Sequence, residues 1–394
     1  MKGELNKEKR VQWFAAVLIF LQIEPYFVWP LHTLITYYNT IPFILILLTQ
    51  CDFNKISIYE VLFLFIALLA AVCARYNIFG IVISASLMLL FLCKKEFLIE
   101  VFLKFRKIYV VLIALSMTVW LLLLLGINIP YKTVPPLNTL KEYTCNIYPF
   151  LVKINGIALE DDMSNAIRFM GLFDEPGVVG TVSLMMLYIG KFDLKKGYNI
   201  VLLLSGIISF SLFFYVATSV FMLYSIVSNK SKIRTKIFLF ALLFMIIGYS
   251  FNNPVTKELI WDRLEWDSSR NTIVGNNRSG EEFDNYIKSI KGTSAYYWGV
   301  ADPQVSARFM GAASINNAII RHGFVVLVLF FIFYALYSKK YIKSFFMWCA
   351  FMAFMYLTLY QRPGFFSIHY ILLFNMAIMA NSTKYSSLFV SNNP

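Results

Sequence analysis

Long, nearly uninterrupted apolar runs constrain this chain more than any other feature. Val17–Ile23, Val61–Val72, Ile108–Leu125, Val201–Phe214 and Phe238–Ile247 are almost entirely hydrocarbon or aromatic. A helix crossing a bilayer needs about 20 such residues, and a water-soluble domain has no use for so many. Charged residues make up 14% of the chain and hydrophobic ones 59%, which rules out a soluble enzyme and a disordered chain. The runs are continuous rather than alternating, so a transmembrane β-barrel is excluded as well. The expected fold class is all-α: a polytopic integral membrane protein in a lipid bilayer, forming one membrane domain over residues 1–394.

Span placement follows from the same runs. The sequence predicts helices near 11–30, 33–50, 57–74, 77–93, 108–126, 175–190, 198–210, 212–228, 236–251, 323–338, 344–360 and 364–380. The segment 198–228 reads as one long tilted helix or as two short ones meeting at Ser209–Phe210–Ser211. Basic residues separate the two readings, because they collect in short cytoplasmic loops. With two helices there, the N-terminus and the loops at Lys55, Lys94–Lys107, Lys191–Lys196, Lys230–Lys236, Lys339–Lys343 and Lys384 fall on one side. These hold 21 of the 35 Lys and Arg, whereas the opposite short loops hold only Arg75 and Arg362. About twelve spans with both termini cytoplasmic are therefore expected. The formal charge of +13 is thereby explained by topology and lipid contact, without nucleic acid. The N-terminal run continues into Glu24–Pro25 without a small-residue cleavage site, so it reads as a retained span.

Two loops, about 127–174 and 252–322, are too long for simple connections and are expected to form a folded outer-face site. In the second, Val255, Leu259, Ile260 and Leu264 have helical spacing. Ser279–Gly280–Glu281–Glu282 has capping-box spacing and predicts a helix over Glu281–Ile290. The five cysteines form no metal-type pair, and no nucleotide-binding or metal motif occurs, so no cofactor is expected.

The chemistry-bearing residues of the outer face are arginines: Arg168, Arg263, Arg270, Arg278, Arg308, Arg321 and Arg362. Guanidinium suits multidentate recognition of phosphate oxygens. Taken singly, each has an ordinary alternative role. Arg168 can pair with Glu175 or anchor at an interface, Arg321 can be an interfacial anchor, and Arg362 can be a solvated turn residue. Arg308 sits in an Arg–Phe–Met–Gly repeat of residues 168–171. His322 is a candidate proton acceptor or a polar interface residue. Asp174, Glu175 and Asp302 are candidate bases. Tyr296, Tyr297 and Trp298 can stack on sugar rings or belong to an interfacial aromatic belt.

Three segments resemble the O-antigen polymerase (Wzy-type) family, within the wider O-antigen ligase and polymerase group. They are Arg168–Phe–Met–Gly–Leu–Phe–Asp–Glu–Pro–Gly177, Arg278 followed by Tyr297–Trp298–Gly299, and Ala313–Ser–Ile–Asn–Asn–Ala–Ile–Ile–Arg–His–Gly–Phe324. The third departs from ligase-type members, which place a His where this chain has Asn316. The resemblance implies a GT-C-like membrane fold with a large, partly helical periplasmic loop. It also implies metal-independent, inverting glycosyl transfer on the outer face of a bacterial inner membrane. Donor and acceptor would both be undecaprenyl-pyrophosphate-linked glycans, with a chain-length regulator as a candidate partner. On this reading Arg168, Arg278 and Arg308 stabilise the pyrophosphate, while Glu175 positions Arg168 or accepts a proton. Arg270, Arg321, His322, Arg362, Asn316, Asn317 and Trp298 bind substrate. The competing activities are glycan ligation to lipid A core and transport of lipid-linked oligosaccharide. The expected outcome for Arg278→Ala is normal membrane insertion with no long-chain glycan on electrophoresis, and full-length polymer would remove Arg278 from the mechanism.

Overall fold

The computed structural model describes residues 2–137, 143–155, 168–228, 251–252, 257, 261–268, 272–273, 281–300, 302–309, 315–362 and 364–391. The structure is mostly helical. The helices are α1 (Lys2–Leu21), α2 (His32–Gln50), α3 (Ile58–Cys73), α4 (Ile78–Ser86), α5 (Leu89–Leu92) and α6 (Lys95–Leu124). Then follow α7 (Pro176–Ile189), α8 (Gly197–Ile208) and α9 (Leu212–Ser228). The second long loop carries α10 (Glu281–Ile290), α11 (Ser294–Trp298), α12 (Pro303–Arg308) and α13 (Ile315–His322). The chain ends with α14 (Phe324–Tyr341), α15 (Phe345–Gln361), α16 (Ile368–Ala380) and the short α17 (Leu388–Ser391).

Local chemistry accounts for most of the boundaries. Ser57 and Glu60 close a capping box on α3. Pro176 opens α7, where its missing N–H is no loss. The expected helix over 11–30 stops at Leu21, because Glu24 is left-handed (φ 59°) and Pro25 follows. The expected span 77–93 is divided between α4 and α5. Conversely, α6 begins thirteen residues ahead of the apolar run from Ile108. Phe97, Leu98, Val101, Phe102 and Phe105 form a buried helical stripe between its charged residues. The segment 198–228 is indeed two helices, with Phe210 left-handed at the break (φ 48°). The Tyr215 hydroxyl donates to the Ile207 carbonyl across that break at 2.6 Å. Most of 236–251 lies outside the described residues.

The first long loop departs from the all-α expectation. Strands β1 (Lys132–Val134), β2 (Thr144–Tyr148) and β3 (Leu151–Asn155) form an antiparallel sheet in the order β1-β2-β3. Pro149–Phe150 makes the tight hairpin turn, with Phe150 at φ 61°. The next turn back to the bundle is anchored where the Val152 N–H donates to the Gly171 carbonyl at 2.7 Å. Two-residue strands β4 (Trp266–Asp267) and β5 (Thr272–Ile273) pair in the second loop. The α10 helix forms where the capping-box spacing placed it. In the 255–264 stretch, only 257 and 261–264 are described, and Asp262–Leu264 is a 3-10 turn.

Inside the bundle, α7 and α16 are buried along nearly their whole length. Among the described residues two helices, α6 and α14, are long and apolar enough to cross a membrane, and several others are apolar but shorter. The bundle has two chemically different ends. At one, the Lys94 N–H donates to the Gln50 carbonyl at 3.2 Å, and the Lys340 ammonium lies 5.0 Å from the Tyr59 ring centre. At the other, Tyr26 N–H meets the Leu172 carbonyl at 2.8 Å, and His322 reaches the Ala70 carbonyl. The loops at Lys55, Lys94 and Lys339–Lys343 thus share an end in space.

At the α8–α9 break the backbones approach closely. A Cβ on Gly206 would lie 2.1 Å from the buried Phe214 ring. Gly206→Ala is therefore expected to cost about 1–3 kcal/mol by overpacking. Thermal unfolding in detergent should show a lowered midpoint, while Leu204→Ala on the exposed face of α8 should change little.

Candidate functional site

The segment from Arg168 to Glu175 is not helical, yet Phe169, Met170, Leu172 and Phe173 are buried. Its backbone is held from three sides. Phe169 N–H donates to Ile208 (3.0 Å), Val152 N–H donates to Gly171, and Tyr26 N–H donates to Leu172. Gly171 has φ +59°, and a Cβ there would lie 3.0 Å from Ile113 Cδ1, so only glycine fits comfortably. This lashing fixes the two charged residues at the segment's ends.

Arg168 turns toward the α8–α9 break. Its Nε lies 3.5 Å from the Ser209 carbonyl oxygen, and its Nη2 donates to Phe210 at 3.4 Å. These carbonyls have lost their place in a helical ladder, so the cation answers a local need. Glu175 is the N-cap of α7 but makes no side-chain cap bond. Its carboxylate instead accepts from Arg362 Nη2 in an ion pair with both side chains roughly three-quarters buried. The structure thus joins Glu175 to Arg362.

Arg362 ends α15, its backbone N–H donating to the Thr358 carbonyl at 2.8 Å. Burial opposes its charge, but Glu175, Tyr370 and Asp174 together outweigh that and hold its pKa above the usual guanidinium value. Its Nε has no hydrogen-bond partner among the described residues, and neither has the Oε1 of neighbouring Gln361. Both side chains lie against Gly177. A Cβ at that position would sit 2.9 Å from Arg362 Nη2 and 3.6 Å from Gln361 Nε2. Arg168 borders the same helix start, since Ser211, beside the carbonyls it binds, packs against Gly180 of α7. The Arg362 guanidinium therefore lies against the first turn of α7, whose N-terminus itself favours anions.

The other expected site residues are distributed differently. Arg308 pairs with Glu282, and both are well exposed. They line a cleft of about 340 Å³ with Asn285, Tyr286, Ser289, Val305 and Phe309. Arg321 lies near Tyr76 and has a buried Nε without a partner among the described residues. On the same short helix Asn317 is buried and Asn316 half-buried. Trp298 is half-exposed, beside a backbone crossing in which Val300 N–H donates to Ile320 at 2.7 Å. Arg270 and Arg278 lie outside the described residues. Among the described residues no group of three His, Cys, Asp or Glu side chains converges as a metal site.

Compared with protein-family models, curated proteins and solved structures, the chain matches none.

Sequence reading missed Gly177, Gln361 and Tyr370. A signal was present in Glu175–Pro–Gly177 and Arg362–Pro–Gly364, two turns of one pattern with opposite charges. Each places its charged residue at a helix end, where the proline restricts the preceding backbone.

His322 is buried beside Tyr76 and Phe366, with Nδ1 3.2 Å from the Ala70 carbonyl. Burial pushes its pKa down to about 4, against a smaller opposing effect of the carbonyl. It is neutral at pH 7 and a weak proton acceptor. Because the folded pKa lies below the unfolded value of about 6.5, this contribution to stability is complete above that pH. It is lost as pH falls toward 4. Unfolding midpoints measured from pH 7 to 4 should fall for the wild type and fall less for His322→Asn, which keeps a donor for Ala70. Parallel curves would place the pH dependence elsewhere.

Proposed function

We propose that the chain is an inner-membrane glycosyltransferase that polymerises undecaprenyl-pyrophosphate-linked repeat units into O-antigen or capsular polysaccharide. The single observation carrying this reading is the meeting of Arg362 and Glu175 at the N-terminus of α7, with Arg168 at its flank. A lipid diphosphate needs cationic donors at the membrane surface, and a hydroxyl nucleophile needs a nearby carboxylate. Both chemistries stand there together.

A membrane setting is supported by the outward faces of the helices. On α6, Val111, Leu115, Leu121 and Leu124 are 42–52% exposed, which would be unfavourable in water and is natural in hydrocarbon. In the proposed topology about twelve spans cross the bilayer, and both termini lie with the basic end in the cytoplasm. The end bearing Arg168, Arg321, Arg362 and the second long loop faces the periplasm.

In the reaction, the acceptor hydroxyl oxygen attacks the anomeric carbon of the donor glycan. The new glycosidic bond forms as the bond from that carbon to the diphosphate oxygen breaks. The electron pair leaves with the diphosphate, and the hydroxyl proton passes to Glu175. Arg362 and Arg168 offset the charge developing on the leaving group, a contribution that grows when water is excluded. Arg278, Arg308 and Arg321 remain candidates for contacts along the glycan or its phosphates, with Asn316, Asn317 and Trp298 along the sugars.

Purified protein in nanodiscs, supplied with undecaprenyl-pyrophosphate-linked repeat units, should produce a glycan ladder without any vesicle gradient. Arg362→Ala should slow ladder formation roughly 100-fold or more, the usual scale for removing a transition-state donor, with partial recovery in Arg362→Lys. Leaflet exchange without a ladder would make the protein a transporter. Transfer only to lipid A core would make it a ligase.

A further inference from the structure

Glu175 occupies an unusual place for a helix-capping carboxylate. From the N-cap position it can accept from the amides of the first turn, the ordinary use of an acidic residue there. Instead it leaves the helix uncapped and lies on Arg362. The helix start it leaves is built for close approach: Pro176 carries no N–H, and Gly177 has no side chain between backbone and guanidinium. Beside it Gln361 is only 9% exposed, with Oε1 lacking a partner among the described residues, as does Arg362 Nε. A bound anion can accept from the partnerless Arg362 Nε–H and from Gln361 Nε2, the amide nitrogen that lies against Gly177. Tyr370 and Asp174 also act electrostatically on Arg362.

We infer that Glu175 is a displaceable occupant of a diphosphate site formed by Arg362, Gln361 and the bare backbone at Gly177. The inference rests on the glycosyltransferase reading and adds to it the order of events. A singly charged carboxylate holds Arg362 while the site has no donor. The more highly charged diphosphate takes over the guanidinium and the helix N-terminus. Repulsion between the diphosphate and the Glu175 carboxylate then turns Glu175 away from Arg362. Its lone pairs become free to accept the proton of the acceptor hydroxyl. The base is thus masked until a donor arrives. Gln361 is a positioning residue that hydrogen-bonds the bound group and keeps the guanidinium plane against α7.

The test is binding of farnesyl pyrophosphate and of inorganic pyrophosphate to the full-length protein in detergent, by isothermal titration calorimetry, with wild type, Glu175→Gln, Gly177→Ala and Gln361→Leu. Glu175→Gln is nearly isosteric and removes the competing charge. It should bind the diphosphate about tenfold more tightly while its polymerising rate falls about 100-fold, changes of about 1.4 and 2.7 kcal/mol. Gly177→Ala should weaken binding, and Gln361→Leu should weaken it without altering the wild-type pH profile of the reaction. Tightening with both ligands assigns recognition to the diphosphate alone. Tightening with the farnesyl compound only assigns it to diphosphate and lipid together, and either supports the site. Unchanged or weaker binding by a correctly folded Glu175→Gln overturns the inference. If Glu175→Gln binds more tightly but the wild type makes no polymer, the site stands and the polymerase reading fails. If the wild type polymerises while Glu175→Gln affinity is unchanged, the reverse holds.

Discussion

A backbone that leaves its helix inside an apolar bundle must find new partners for its N–H and C=O groups, and this requirement shapes the rest of the molecule. Where the chain breaks between α8 and α9, the freed carbonyls of Ser209 and Phe210 are met by the Arg168 guanidinium. Where the non-helical segment 168–175 runs through the bundle, strand β3, the turn after α1 and the end of α8 each supply a hydrogen bond. The little sheet β1–β3 is part of the same solution: Val152 N–H answers Gly171, and the Ser116 hydroxyl of α6 meets the Phe150 carbonyl. The loop is ordered because buried backbone obliges it to be, and its charged ends are placed as a consequence.

Partly buried charge is held under the same rule. Removing either member of the Glu175–Arg362 pair leaves an uncompensated ion, whereas the intact pair gains little in net stability. Such a pair is thus weak evidence of stabilisation. The contrast with Arg308–Glu282 is instructive. That pair stands in water on the second long loop, where solvent and salt reduce its worth. The same two residue types therefore have different consequences at the two sites, because their surroundings differ.

Much of the helical architecture was legible because apolar spacing and basic loops are local signals. The break at Ser209–Ser211 could be inferred from charge placement alone, and α10 from a four-residue cap. Other features depend on distant partners. The early start of α6 reflects Phe97, Phe102 and Phe105 burying against other helices, a tertiary gain that outweighs its many charges. The sheet was hidden because Thr144–Tyr148 and Leu151–Asn155 are too short to stand out from the apolar background, and they are stable only when docked.

The candidate site shows why residue type is easier to read than residue pairing. Arg168 and Glu175 are seven apart and read as candidate partners; the segment between them turns at Gly171 and is pinned, with Arg168 held at the α8–α9 break and Glu175 on Arg362. Glu175 instead meets a residue 187 positions away. What connects them is geometry at a helix start: Pro176 keeps Glu175 out of the α7 helix, and Gly177 lacks the Cβ that would crowd Arg362 Nη2. The C-terminal end of α15 delivers Arg362 to that start. Gly177 then decides how near the cation comes to the helix start, and so whether an anion can bridge the two.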